Sequence, residues 1–256
     1  MSNSLHAMTV GRQRKLIDLL DSAGMTANMV QAVIDRPQLT AKMIAVLQEN
    51  LNPQLFVSGE QQIENVRTRF GGINGFFADW QIQQASEAMP DFEPEGLKAL
   101  VLTPYFNNLQ QTDQWLWATC KEAHPNNWSW ESLKSDPQHM RLLEGTEFPA
   151  NSLQWEIIDF GANRGESPVD TRDTNSPHMT CLAAAWHHTK WVEAMDGEKV
   201  PYIWIPGLEV TVFEDKPFEC VPNLSQFDGK LKRYAYWHVN ANSHWAVPCR
   251  VESRNS

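Results

Sequence analysis

The chain has 256 residues, of which 42% are hydrophobic and 20% charged, with eleven tryptophans. That composition suits a folded chain with a sizeable core and excludes a disordered polymer. Its 21 basic and 31 acidic residues leave a net charge of −10, and Lys230, Lys232 and Arg233 are too few to form an offsetting patch, so no nucleic acid partner is expected.

Met1 to His6 shows no basic segment followed by an apolar run, and nothing downstream approaches a membrane span. A cytoplasmic protein with no membrane partner is expected. Residues 11–51 carry three one-sided apolar stripes: Leu16, Ile17, Leu19 and Leu20; then Met29, Val30, Val33 and Ile34; then Leu39, Met43, Val46 and Leu47. Gly24, Thr26, Asp35 and Pro37 punctuate them, so residues 1–51 predict a small helical unit. Residues 52–96 read as a connecting region, with a strand near Leu55–Val57 and a helix around Phe76–Ala88. Gly71, Gly72 and Gly75 lack the strand-to-helix setting that a phosphate loop needs.

The body spans residues 97–256. Lys98–Thr103 has the length and apolarity of a strand, and Thr112 is placed to cap a helix that Pro125 stops. Asp136-Pro137 opens a further helical segment closed by Gly145. A strand at 155–160 leads through a loop to a helix from Pro177 to about Met195, followed by a strand at Tyr202–Ile205. The segments 208–213, 218–222, 231–239 and 244–251 are aromatic and branched, with Asp228-Gly229 as a turn signal. The pattern predicts an α/β fold, with α+β as the alternative: a mixed sheet, flanking helices and antiparallel C-terminal strands.

Trp155-Glu-Ile-Ile-Asp-Phe-Gly-Ala-Asn-Arg-Gly165, Ser176-Pro-His178, Ala194-Met-Asp-Gly197 and Val200-Pro-Tyr-Ile-Trp-Ile-Pro-Gly207 carry a resemblance. Through most of its length the chain resembles a family of hypothetical proteins from small uncultivated bacteria. The resemblance implies one coherent α/β unit in a bacterial cytoplasm and supplies no catalytic residues.

Cys120, Cys181, Cys220 and Cys249 are widely spaced, as reduced thiols of a cytoplasmic protein would be; a Cys220–Cys249 disulfide is the alternative for an exported chain. His178 and Cys181 share a helical face, but His188 lies about 10 Å further along it, too far to join Cys181 on one ion. His188 reads as a core residue and Cys120 as a small buried hydrophobe. His238, His244 and Cys249 lack paired ligand spacing. No metal and no cofactor are expected.

The loop 161–176 is the strongest candidate site. It is long for a strand-to-helix connection and follows a strand's carboxyl end, where α/β proteins gather ligands. Asn163, Arg164, Arg172, Asp173 and Ser176 are its expected ligand-binding residues. The two guanidinium groups and a helix start at Ser176-Pro177 suit a small anion. The competing reading pairs Arg164 with Asp159 or Asp170 as an internal ion pair. Two functions follow: a binding or scaffold protein recognising a protein, peptide or small anionic ligand, or an enzyme acting on an anionic metabolite in a cleft over Phe106, Phe160 and Ile205.

Overall fold

A computed structural model describes residues 55–72 and 75–251; the helical unit expected at 11–51 lies outside them. From Leu55 onward the chain forms one compact unit. Its elements begin with α1 (Gly59–Phe70), α2 (Asp79–Glu87), β1 (Lys98–Tyr105), α3 (Leu109–Ala123), β2 (Asn127–Ser129), β3 (Met140–Leu142) and β4 (Ser152–Asp159). They continue with α4 (Pro168–Thr171), α5 (Met179–His187), α6 (Thr189–Glu193), β5 (Tyr202–Trp204) and β6 (Leu208–Val210). The last are β7 (Cys220–Phe227), β8 (Lys230–Trp237), β9 (Trp245–Ala246) and β10 (Cys249–Arg250).

The strands divide between two sheets, so the expected mixed α/β architecture is present in a split form. One is antiparallel, in the order β1-β4-β10; the other runs β2-β8-β7-β5-β9, with β6 on β7 and β3 on β6. In the second sheet β2 pairs with β8 and β5 with β9 in parallel, and the remaining pairs are antiparallel. Asp228 and Gly229 join β7 to β8 with φ of 53° and 68°, the left-handed pair that a tight hairpin turn requires.

The stretch 55–96 is a packing layer. Ser58 caps α1 by accepting a hydrogen bond from the Gln61 amide, and Ile63, Val66 and Phe70 line its inner side. With Phe77, Ile82 and Ala85 they cover Leu102 and Phe106 beside the first sheet. The sheet's other face, through Ala99, Val101 and Ile158, joins α3, α5 and the second sheet's Ile203, Leu224, Leu231 and Ala235 in the main core. Leu55–Val57 makes no strand.

Three expectations need correction. The segment after Asp136 is a turn leading into β3, because the Asp136 carboxylate accepts from the Gln138 amide (3.0 Å) and Met140–Leu142 then pairs with β6. The helix expected over 177–195 breaks at His188, whose Nδ1 accepts from the Val57 amide (3.1 Å) and whose ring packs edge-on against Phe56. The third concerns the cleft. Antiparallel pairing sets Lys98 opposite Asp159 and Tyr105 opposite Ser152, so Phe106 and Phe160 lie at opposite ends of the sheet, roughly 30 Å apart at 3.3 Å per residue. Ile205 follows a strand of the other sheet, so the three positions share no cleft. No helix among the described residues is long and apolar enough to cross a membrane.

Candidate ligand-binding site

The loop 161–176 is a strap pinned to the second sheet and its connections. Asn163, in left-handed backbone (φ 48°), donates through Nδ2 to the Val247 carbonyl (3.2 Å). Arg164 spends its guanidinium on three backbone carbonyls, of Ser243 (2.8 Å), Glu198 (2.6 Å) and Gly197 (2.5 Å). These bonds go to backbone oxygens, so the internal ion pair with Asp159 or Asp170 does not form, and each guanidinium nitrogen already has an acceptor. The Gly165 and Val169 amides donate to the Trp245 and His238 carbonyls. Arg172 reaches Glu209 (2.8 Å) and Nδ1 of His238 (3.2 Å), and Glu209 also takes a two-pronged contact from Arg141. The side chains of Arg172 and Glu209 are 7% and 9% exposed, so this is an internal ion cluster. The two arginines expected to hold an anion are occupied by the fold.

The expected helix start at Ser176-Pro177 is also displaced. α5 begins at Met179, and residues 176–185 are buried, leaving no open amino end for an anion. The Ser176 amide instead donates to the Asp173 carbonyl (3.0 Å), and Asp173 Oδ1 accepts from the Asn175 amide (2.9 Å).

That last turn of the strap borders a cavity of about 710 Å³. Asp173 and Ser176 line it; Asn163, Arg164 and Arg172 do not. Its other walls include Tyr105, Phe148, Gln154, Trp155, Glu156, Cys249 and Arg250. Two-residue alternation along β4 puts Gln154, Glu156 and Ile158 on one face, so a carboxylate stands on the core-facing side of the strand. Glu156 Oε1 meets Arg250 Nη2 at 2.5 Å, and Oε2 accepts from the Thr180 hydroxyl. The Tyr105 hydroxyl lies 3.5 Å from Thr180 Oγ1.

Burial raises the pKa of Glu156 above the usual carboxylate range, with the Arg250 charge working against it. Burial, reinforced by the Glu156 charge, puts the Tyr105 phenol well above its ordinary value, so it stays protonated as a donor. Behind Tyr105 and Phe148, at ring distances of 5.4 and 6.4 Å, His178 is buried with neither nitrogen bonded. Burial, then the Arg250 charge, pushes its pKa down to about 3, so its ring is neutral. No local pattern joins Tyr105, Glu156, Thr180 and Arg250 in sequence. The one available signal was Glu156, a charge in phase with Ile158 on a strand.

Among the described residues the other histidines, His124, His139, His187, His188, His238 and His244, each have a hydrogen-bond partner. Cys120 donates to the Leu182 carbonyl (3.2 Å), and all four cysteines are free thiols, with Cys220 and Cys249 on different sheets. Among the described residues no three His, Cys, Asp or Glu side chains are placed to hold a metal ion. Compared with family models, curated proteins and solved structures, the chain matches none.

Proposed function

We propose that the protein binds a small polar molecule in the cavity between the strap turn 171–176 and the Glu156–Arg250 pair. The observation that carries this reading is a carboxylate–guanidinium pair, its carboxylate 11% and its guanidinium side chain 32% exposed, set in the wall of a cavity of small-molecule size. Ion pairs that water still reaches contribute little to stability, so stability alone gives little reason for this one. Beside a cavity, the pair holds a donor and an acceptor at fixed positions for a ligand.

Charge selects among ligands. Glu147, Glu156 and Asp173 line the cavity against Arg250, which favours a neutral or amine-bearing molecule over the anion expected on Arg164 and Arg172. Binding is favoured over catalysis because Cys249, the thiol of the wall, is pushed up in pKa by burial and by the Asp159 and Asp173 charges, the reverse of an activated nucleophile. We place this activity in the cytoplasm.

A thermal-shift screen of amines, amino acids, polyols and carboxylates tests the proposal. Gln154→Trp, at an exposed position on the cavity wall, serves as the blocked control. A ligand at a hundred times its Kd stabilises the native chain by about 2.7 kcal/mol, and the blocked variant should lose that gain. No shift with any compound, or equal shifts in both proteins, would contradict the cavity as a binding site.

A further inference from the structure

The second sheet has two unlike faces. One, through Leu224, Leu231 and Ala235, lies on the main core. On the other, register places Asn223 of β7 between Tyr234 of β8 and Trp204 of β5. A run of rings continues across this face. Trp128 stands 4.7 Å from Tyr234, Tyr234 lies 6.1 Å from Tyr236 with planes within 16°, Tyr236 is 6.4 Å from Trp204, and Trp204 is 5.3 Å from Trp245. Trp128 and Tyr236 are 41% and 44% exposed.

Beneath these rings is a polar anomaly. Asn223 is fully buried, and neither its Oδ1 nor its Nδ2 has a partner; Trp204 Nε1 is buried and unbonded beside it. An unbonded buried amide is costly, and a leucine of similar size would avoid the penalty. Tyr234 and Tyr236 border the amide, and rotamer changes of exposed rings are fast.

We propose that this face binds a neutral carbohydrate chain, at a site separate from the cavity. Trp128, Tyr234, Tyr236 and Trp245, exposed or half-buried above the buried Trp204, offer apolar ring surface to the C–H faces of successive sugars. Once Tyr234 or Tyr236 turns aside, the Asn223 amide presents a donor and an acceptor to a pair of neighbouring hydroxyls. Charge separates this partner from single-stranded nucleic acid, the other polymer that stacks on aromatic platforms. The chain carries −10 overall, and Lys232, on this face, is held over the Phe227 ring at 4.6 Å.

The test is titration of the full chain with neutral linear hexasaccharides of glucose (cellulose, laminarin and amylose types), xylose, mannose and N-acetylglucosamine. Tryptophan fluorescence and calorimetry read binding up to about 10 mM, enough to detect a millimolar site. At least one sugar should bind, and Tyr236→Ala and Trp128→Ala should each weaken it by about tenfold. Asn223→Leu should raise the thermal midpoint while abolishing sugar binding, a combination that a purely structural asparagine does not produce. The proposal is overturned by any of three results: no hexasaccharide binds, binding is indifferent to all three substitutions, or oligo-dT takes this face while the sugars do not.

Discussion

Arg164 shows how far residue type can be read without its partners. Its place after a strand and inside a polar loop was legible, and a guanidinium there pointed to an anion. Its three acceptors, the carbonyls of Gly197, Glu198 and Ser243, come from segments distant in sequence, and no pattern of residue types announces a backbone oxygen. Asp173 and Ser176 line a cavity, whose carboxylates do not suit the anion expected there. Arg164→Ala should therefore lower stability by about 1–2 kcal/mol, less than a buried charge pair would lose because the side chain is largely exposed, and leave ligand binding in the cavity unchanged. Urea melts and the thermal-shift screen check the two halves. A loss of cavity binding with unaltered stability would restore Arg164 as a ligand residue.

At the scale of elements, the long periodic segments were legible and their interruptions were not. α3 ends at Ala123 as read, but begins at Leu109 under an Asn108 cap, while Thr112 turns inward to accept from the Phe106 amide (2.9 Å). α1 carries little sequence signal because glutamine, glutamate and arginine dilute its apolar stripe. Its most consequential residue is one of those polar ones. β1 is an edge strand, and Gln62 plugs that edge by donating to the Leu100 carbonyl and accepting from the Leu102 amide, both at 2.8 Å. His187 completes the seal by donating from Nε2 to the Leu102 carbonyl (2.9 Å), which leaves Nδ1 to accept from Asn65 (3.2 Å). Gln62→Leu leaves two buried backbone groups unpaired and should cost about 2–4 kcal/mol in denaturant melts. A loss below about 0.5 kcal/mol would show that the edge is satisfied in another way.

The described residues form two sheets tied by a strap, and their acid response follows from what the interior holds. His178, His187 and His188 are buried, and burial pushes each pKa from 6.5 to about 3. Between those values the unfolded chain binds protons that the folded chain refuses. Their stabilisation is therefore complete above about pH 6.5 and lost as pH falls toward 3. Glu156, with its raised pKa, acts in the opposite sense as one group against three. The protein should be roughly 3–5 kcal/mol less stable at pH 5 than at pH 7. Equal denaturant midpoints at the two pH values would mean that these histidines are not held neutral. The division into two sheets was not legible beforehand, because strand-length runs carry no mark of which sheet they join. That division moved the site from supposed strand ends to the wall formed by Tyr105, Glu156 and Arg250.

Amide hydrogen exchange, with and without the compound giving the largest thermal shift, tests the cavity directly. The account predicts slowed exchange concentrated in residues 154–157, 171–176 and 249–251, with the strap segment 163–169 little changed. Protection centred on the strap around Arg164, or spread without a maximum at the Glu156–Arg250 wall, would contradict it.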